Sequence, residues 1–189
     1  MKVQPLLTGL LLLLGAAAGF AQDATAPKTI AASLHIVWQL EESDFISAAD
    51  AMPEAKYSFA PTAGEFKGVR TFAEQVKHVA CANFAFFNEI EGKTPPPDCE
   101  KGGPDPAKTK AELTKYLRDS FAYADRVMNT ITPDNAMQTA TGRYFAPNSH
   151  LGLGVAAVWH VADHYGQLVE YLRMNGIVPP GSRGGLAVR

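Results

Sequence analysis

Four stretches of this chain place apolar side chains at alternating steps of three and four residues, and prolines and glycines punctuate the segments between them. That spacing is the period of an α-helix with one buried face. Ile30, Leu34, Trp38, Phe45, Ala48 and Met52 make the first stripe, on which Glu41 is the only polar residue. Phe72, Val76, Val79, Phe86 and Ile90 make the second, and Leu113, Leu117, Phe121, Ala124, Met128 and Ile131 the third. The fourth is expected to be Leu151, Val155, Val158, Ala162, Tyr165, Val169 and Leu172. No convincing strand alternation separates them. Each stripe must be covered, and four helices without a sheet cover one another, so the fold class is all-α, a four-helix bundle with long connecting loops.

The helix boundaries carry their own signals. Thr71-Phe72-Ala73-Glu74 reads as a capping box, and Asp105-Pro106 as an N-cap followed by proline at the first helical position. Asn148 or Ser149 can cap the fourth helix; Asn175-Gly176 ends it, with Pro179-Pro180 preventing continuation. Met52 to Val69 holds Pro53, Pro61, Gly64 and Gly68, and is expected to cross the bundle extended, with Tyr57 and Phe59 tucked beneath. Gly92 to Pro104, with three consecutive prolines, and Asp134 to Ser149 are the other long connections.

Met1 to Ala21 stands apart from this pattern. Lys2 gives a positive start, Leu6 to Ala18 an apolar run, and Gly19-Phe20-Ala21 a small-x-small cleavage site, which together predict a secretory signal peptide cut after Ala21. The mature protein is then exported, to the periplasm or the medium. Residues 22–31 are expected to form a flexible arm, residues 32–180 the bundle and residues 181–189 a flexible tail. No second apolar stretch long enough to span a membrane follows. A formal charge of −2 with scattered basic residues leaves no footprint for nucleic acid or anionic lipid, and a homodimer is compatible with the pattern.

Export changes the reading of the two cysteines. Cys81 falls in the second helix and Cys99 in the Pro-rich loop after it. In an oxidising compartment they either pair or leave one buried apolar cysteine and one exposed thiol; spacing does not choose between these.

His160 and His164 lie four residues apart, which stacks two imidazoles on one helical face about 6 Å apart along the axis, within reach of one divalent ion. Val161 follows His160 where a zincin would carry its general base, so protease chemistry by that route is not expected. His78 sits mid-helix on a face of small and partly polar neighbours, which suits a side chain lining a pocket. His150 is about 15 Å along the axis from His160, too far to share its ion, and His35 reads as a surface or packing residue.

KHVACANFAFF in the second helix and WHVADHYGQLVEYLRMNGIVPP in the fourth, behind an export signal, resemble the DinB/YfiT-like superfamily of metal-dependent enzymes, over about Ala32 to Pro180. The resemblance implies an up-down-down-up arrangement of the helices and one divalent ion held by a histidine of the second helix and a His-x-x-x-His pair of the fourth. Here those ligands are His78, His160 and His164, and Gly166-Gln167 matches the family's frequent continuation. Three neutral imidazoles leave at least one coordination position open, and suit zinc or nickel foremost, with iron or copper also compatible. Such an ion activates water or holds a substrate thiolate, so the resemblance implies hydrolysis or thiol S-transfer on a small molecule that the sequence does not name. Gln167 and Glu41 are candidates for supporting the ligands; Asp163 is expected to face elsewhere. The alternative is a non-catalytic metal-binding or stress-associated bundle. A haem or di-iron bundle is disfavoured, since neither C-x-x-C-H nor paired Glu-x-x-His motifs occur.

Overall fold

The computed structural model describes residues 27–140, 142 and 148–183. The expected signal peptide, residues 22–26 of the arm and residues 184–189 of the tail lie outside the described residues. Four helices carry the fold: α1 (Ile30–Ala51), α2 (Phe72–Ile90), α3 (Lys110–Met128) and α4 (His150–Met174). No helix among the described residues is long and apolar enough to cross a membrane.

Each helix starts where a hydroxyl accepts from a backbone N–H that lacks a partner within the helix: Thr29 from Ala32, Thr71 from Glu74, Thr109 from Glu112 and Ser149 from Gly152. Thr71 and Thr109 are reciprocal capping boxes, with Glu74 and Glu112 bonding back. The second of these corrects the expected start of α3. Asp105 instead closes a turn of its own by accepting from Ala107 N at 2.8 Å, and the box at Thr109, which satisfies two orphan donors rather than one, starts the helix four residues later. α1 likewise starts at Ile30, inside the segment expected to be an arm. At the end of α4, Gly176 takes φ +73° while Ile177 N and Gly176 N donate to the Leu172 and Arg173 carbonyls, the double closure that glycine permits.

Contacts between helices set their directions. α2 and α3 run parallel, since Phe84 stacks on Tyr116 and Asn88 bonds Tyr123 further along both. His35, early in α1, meets Asp125, late in α3; Gln75, early in α2, meets Gln167, late in α4, so those pairs are antiparallel. The order is up-down-down-up, with α1 and α2 on one diagonal and α3 and α4 on the other. Trp38 lies at the centre, edge-on to Phe87 with ring centroids 5.4 Å apart and 5.0 Å from Phe121. The crossing segment does tuck beneath: Tyr57 is buried and donates to the Ala49 carbonyl, and Phe59 packs on Tyr171. A two-residue antiparallel ladder, β1 (Thr139–Ala140) with β2 (Asn148–Ser149), sits in the last long connection.

The inward face of α4 differs from the expected stripe. Leu153, Ala157, Val161, His164, Leu168 and Leu172 point into the bundle, whereas Val155 is 52% exposed and, with Leu151 and Val158, lines an open apolar groove against α1. Small residues explain the choice. A Cβ on Gly154 would sit 3.2 Å from Leu34 Cδ1 and 3.6 Å from Ile131 Cδ1, so α4 approaches its neighbours on the face where its side chains are smallest. This rotation turns His164 inward.

Candidate metal centre

α2 and α4 bring three imidazoles together across their seam. His78 is buried on α2, about two turns beyond the capped start of that helix, and His164 is buried on α4 with His160 one turn before it. One nitrogen from each ring can be chosen so that all three lie within 4.8 Å of one another. The ring centroids are 4.8 Å apart for His78 and His164, 5.1 Å for His78 and His160, and 4.5 Å for His160 and His164, with tilts of 56–74°. The edge of Phe86 closes one side of His160.

The protonation states follow from the partners. His78 Nδ1 lies 2.7 Å from the Cys99 carbonyl, which can only accept, so Nδ1 carries the proton and Nε2 presents its lone pair. That Nε2 is 3.1 Å from His160 Nε2. Burial holds His78 below the ordinary imidazole range, with the Cys99 bond opposing it and the Arg70 charge adding to it. Burial, then the neighbouring His164 and His78, push His160 down to about 2; burial, then His78, push His164 down to about 4, against a raising influence from Asp163. All three are therefore neutral at pH 7, the form that ligates.

The arrangement fits a divalent ion. Two imidazole nitrogens each about 2.1 Å from one ion stand roughly 3.0–3.4 Å apart for coordination angles between a right angle and the tetrahedral value, and the His78 and His160 pair already meets that spacing. The buried Nδ1 atoms of His160 and His164 have no hydrogen-bond partner among the described residues, so neither ring has its tautomer set by a backbone carbonyl as His78 has.

Around the triad lies a polar fringe. Gln75 Nε2 donates to Gln167 Oε1 at 2.5 Å, and Gln167 Nε2 donates to Asp163 Oδ2 at 2.9 Å, so one glutamine of each helix ties the seam together beside the imidazoles. Arg70 donates to the Glu100 carbonyl at 3.1 and 3.3 Å and to its carboxylate at 2.5 Å, while Tyr171 donates to the Arg70 carbonyl. Cys81 and Cys99 are joined by a disulfide, Cα to Cα 5.2 Å.

A model of the DinB superfamily matches residues 38–168. The chain belongs to the DinB superfamily. Its fold is similar to that of a DinB-like protein from Bacillus cereus ATCC 10987 known from a crystal structure, with a TM-score of 0.63 at 17% identity, covering 81% of this chain and 97% of that one. No curated protein matches.

Within this DinB-superfamily bundle, the structure brings His78, His160 and His164 together and sets Gln167 beside them. For Glu41, partial burial and then Asp44 raise the carboxyl, and no hydrogen bond or ion pair among the described residues joins it to the triad. Asp163, expected to face away, acts electrostatically on His164 and is held by Gln167. His35 is 3.0 Å from Asp125, and His150 lies by β1 beside Gln138 and Thr139, remote from the triad. Gln75, Arg70 and the Cys99 carbonyl are the parts not anticipated. Gln75 had a signal, standing one turn before His78 on the same helix; the carbonyl had none.

Proposed function

We propose that His78, His160 and His164 hold one divalent transition metal, zinc or nickel foremost, with a coordination position open to a small molecule, and that the protein is an exported metal-dependent enzyme of hydrolytic type. The observation carrying this is the convergence of three neutral imidazoles from two helices with no carboxylate among them, a donor set that leaves room for water or substrate.

When bound, the ion supplies Lewis-acid chemistry, lowering the pKa of water toward 7 or polarising a carbonyl. The chain's own residues prepare the site. The Cys99 carbonyl sets the His78 tautomer, Phe86 excludes water from one side of His160, and Gln75 with Gln167 fixes the distance between the helices. Asp163 is held through one oxygen by Gln167, which keeps a carboxylate proton acceptor at the rim. The family resemblance also admits thiol S-transfer. Export and the disulfide favour hydrolysis, because reduced low-molecular-weight thiols are scarce in the compartments where such bonds persist.

A second reading is a non-catalytic bundle in which the ion only clamps α2 to α4; the placing of the ligands on those two helices favours it. The deciding experiment is metal analysis of the mature protein and of His160→Ala after gentle purification and reloading. Stoichiometric metal in the first and little in the second is expected. A wild-type protein that holds no transition metal sinks both readings. With metal bound, turnover of ester substrates that chelator abolishes supports the enzyme, and a stability loss without turnover supports the clamp.

A further inference from the structure

A backbone carbonyl, rather than a side chain, orients the His78 ring. The Cys99 oxygen accepts from His78 Nδ1 at 2.7 Å and from Gly102 N at 2.8 Å, so both its lone pairs are used and its direction follows the short 3₁₀ turn Cys99–Lys101. That turn sits in a loop with three consecutive prolines, and two ties bring it to the seam. Arg70 grips Glu100 from outside, where the Glu100 side chain is 75% exposed and its ion pair is screened by water. The other tie is covalent. Cys99 is bonded to Cys81, one turn along α2 from His78, and both sulfurs are buried.

The turn is packed directly on this bond. Gly103, at φ +72°, has no room for a side chain because its Cβ would run into the Cys81 side chain. Cys81, Ala85 and Cys99, with Tyr116 against them, form a small cluster distinct from the main core around Trp38. Breaking the bond therefore loosens the turn and its carbonyl while the main core keeps its contacts.

We propose that the Cys81–Cys99 disulfide is the positioning element of the metal site: it holds the Cys99 carbonyl against His78, fixes the Nδ1–H tautomer, and makes metal affinity depend on oxidation of the pair. This rests on reading the triad as a metal centre. Reduction adds two electrons and two protons, converts the cystine to two thiols, and releases the turn from α2. Outer partners of ligating histidines commonly contribute 10–100-fold to metal affinity, which sets the expected scale.

The test compares the mature chain in three forms: oxidised, reduced by a phosphine that takes oxygen from water to become its oxide, and C81A/C99A. Nitrogen NMR of the metal-free protein reads the His78 tautomer. A single Nδ1–H form in the oxidised protein and tautomer exchange in the other two are expected. Competition of Zn²⁺ alone against a chromogenic chelator, after removal of the phosphine without air, should show about 10–100-fold weaker binding in both altered forms with far-UV circular dichroism unchanged. Equal tautomer and affinity in all three forms overturns the proposal, as does loss of helical signal on reduction, which would assign the bond to the fold at large. Absence of zinc binding by the oxidised protein defeats the metal-centre reading, and the metal-free tautomer measurement then still decides whether the disulfide positions His78.

Discussion

His78 Nε2 and His160 Nε2 face each other at 3.1 Å across the seam between α2 and α4. Because His78 already donates through Nδ1, this approach is satisfied in one of two ways: a proton supplied by His160, or an ion accepting both lone pairs. The second also engages His164, which the first leaves without a partner. Metal should therefore stabilise the fold. At a free concentration a hundred times the dissociation constant the gain is about 2.7 kcal/mol, which raises the melting temperature of a domain this size by roughly 5–10 °C. Calorimetry with zinc or nickel, then with chelator, checks it, and His78→Ala and His160→Ala should each abolish the response. A melting temperature indifferent to metal in the wild type contradicts the prediction.

Acid should destabilise the metal-free protein well above the range in which carboxylates titrate. His164 is held down at about 4 by burial and by His78, and His160 lower still, whereas in the unfolded chain each titrates near 6.5. Above about pH 6.5 neither state binds the extra proton and these groups leave stability unchanged. As pH falls through 6.5 the unfolded state takes up protons that the native state refuses, so stability drops until the native groups titrate as well. For His164 alone the loss by pH 4 is roughly 3 kcal/mol. Urea unfolding of metal-free protein at pH 7.5, 6 and 5 measures it, and His164→Gln should flatten the slope. A curve for the wild type that is flat from 7.5 to 5 would falsify the burial argument.

The two competing starts of α3 yield a clean pair of variants. Thr109→Ala removes a cap that forms a reciprocal box with Glu112 and should cost about 1 kcal/mol, or roughly 2–4 °C in melting temperature. Asp105→Ala removes only a turn hydrogen bond to Ala107 and should cost about half as much. Equal losses, or a larger loss at Asp105, would return the start of the helix to the Asp-Pro pair.

Those variants also mark where the sequence was readable. The stripes of α1, α2 and α3 were legible because their large apolar residues occupy one face against polar residues on the other, and Trp38, Phe45, Phe86 and Phe121 among them are all buried. The stripe of α4 was not, because its first half carries apolar or small residues on two faces. Leu153, Ala157 and Val161 compete with Leu151, Val155 and Val158, and what decides between them is how closely α1 can approach Gly154, a property of the assembled pair. At the site, the His-x-x-x-His spacing follows from helical geometry, and His78 could be joined to it through the family pattern. The Cys99 carbonyl could not be foreseen, since any residue supplies a carbonyl and only the turn says where it points. Arg70 was equally silent: it precedes α2, and its reach to Glu100 spans a loop whose path the prolines alone do not dictate.

Removing the disulfide should also cost global stability, by a route separate from its effect on His78. The bond joins residues 18 apart in sequence, and closing a loop of about that length removes unfolded-chain entropy worth about 3 kcal/mol. C81A/C99A should accordingly melt roughly 6–12 °C below the oxidised protein, and its dependence on urea should steepen, because an uncrosslinked chain exposes more surface when it unfolds. The helices themselves should persist, since the lost packing is confined to Cys81, Ala85, Cys99 and Tyr116, apart from the Trp38 core. Urea titrations of both proteins in the presence of chelator isolate this term from any metal contribution. A loss near zero would mean that residual structure keeps this loop compact in the unfolded chain even without the bond, and a variant without a cooperative transition would mean that the small cluster supports far more of the bundle than its contacts indicate.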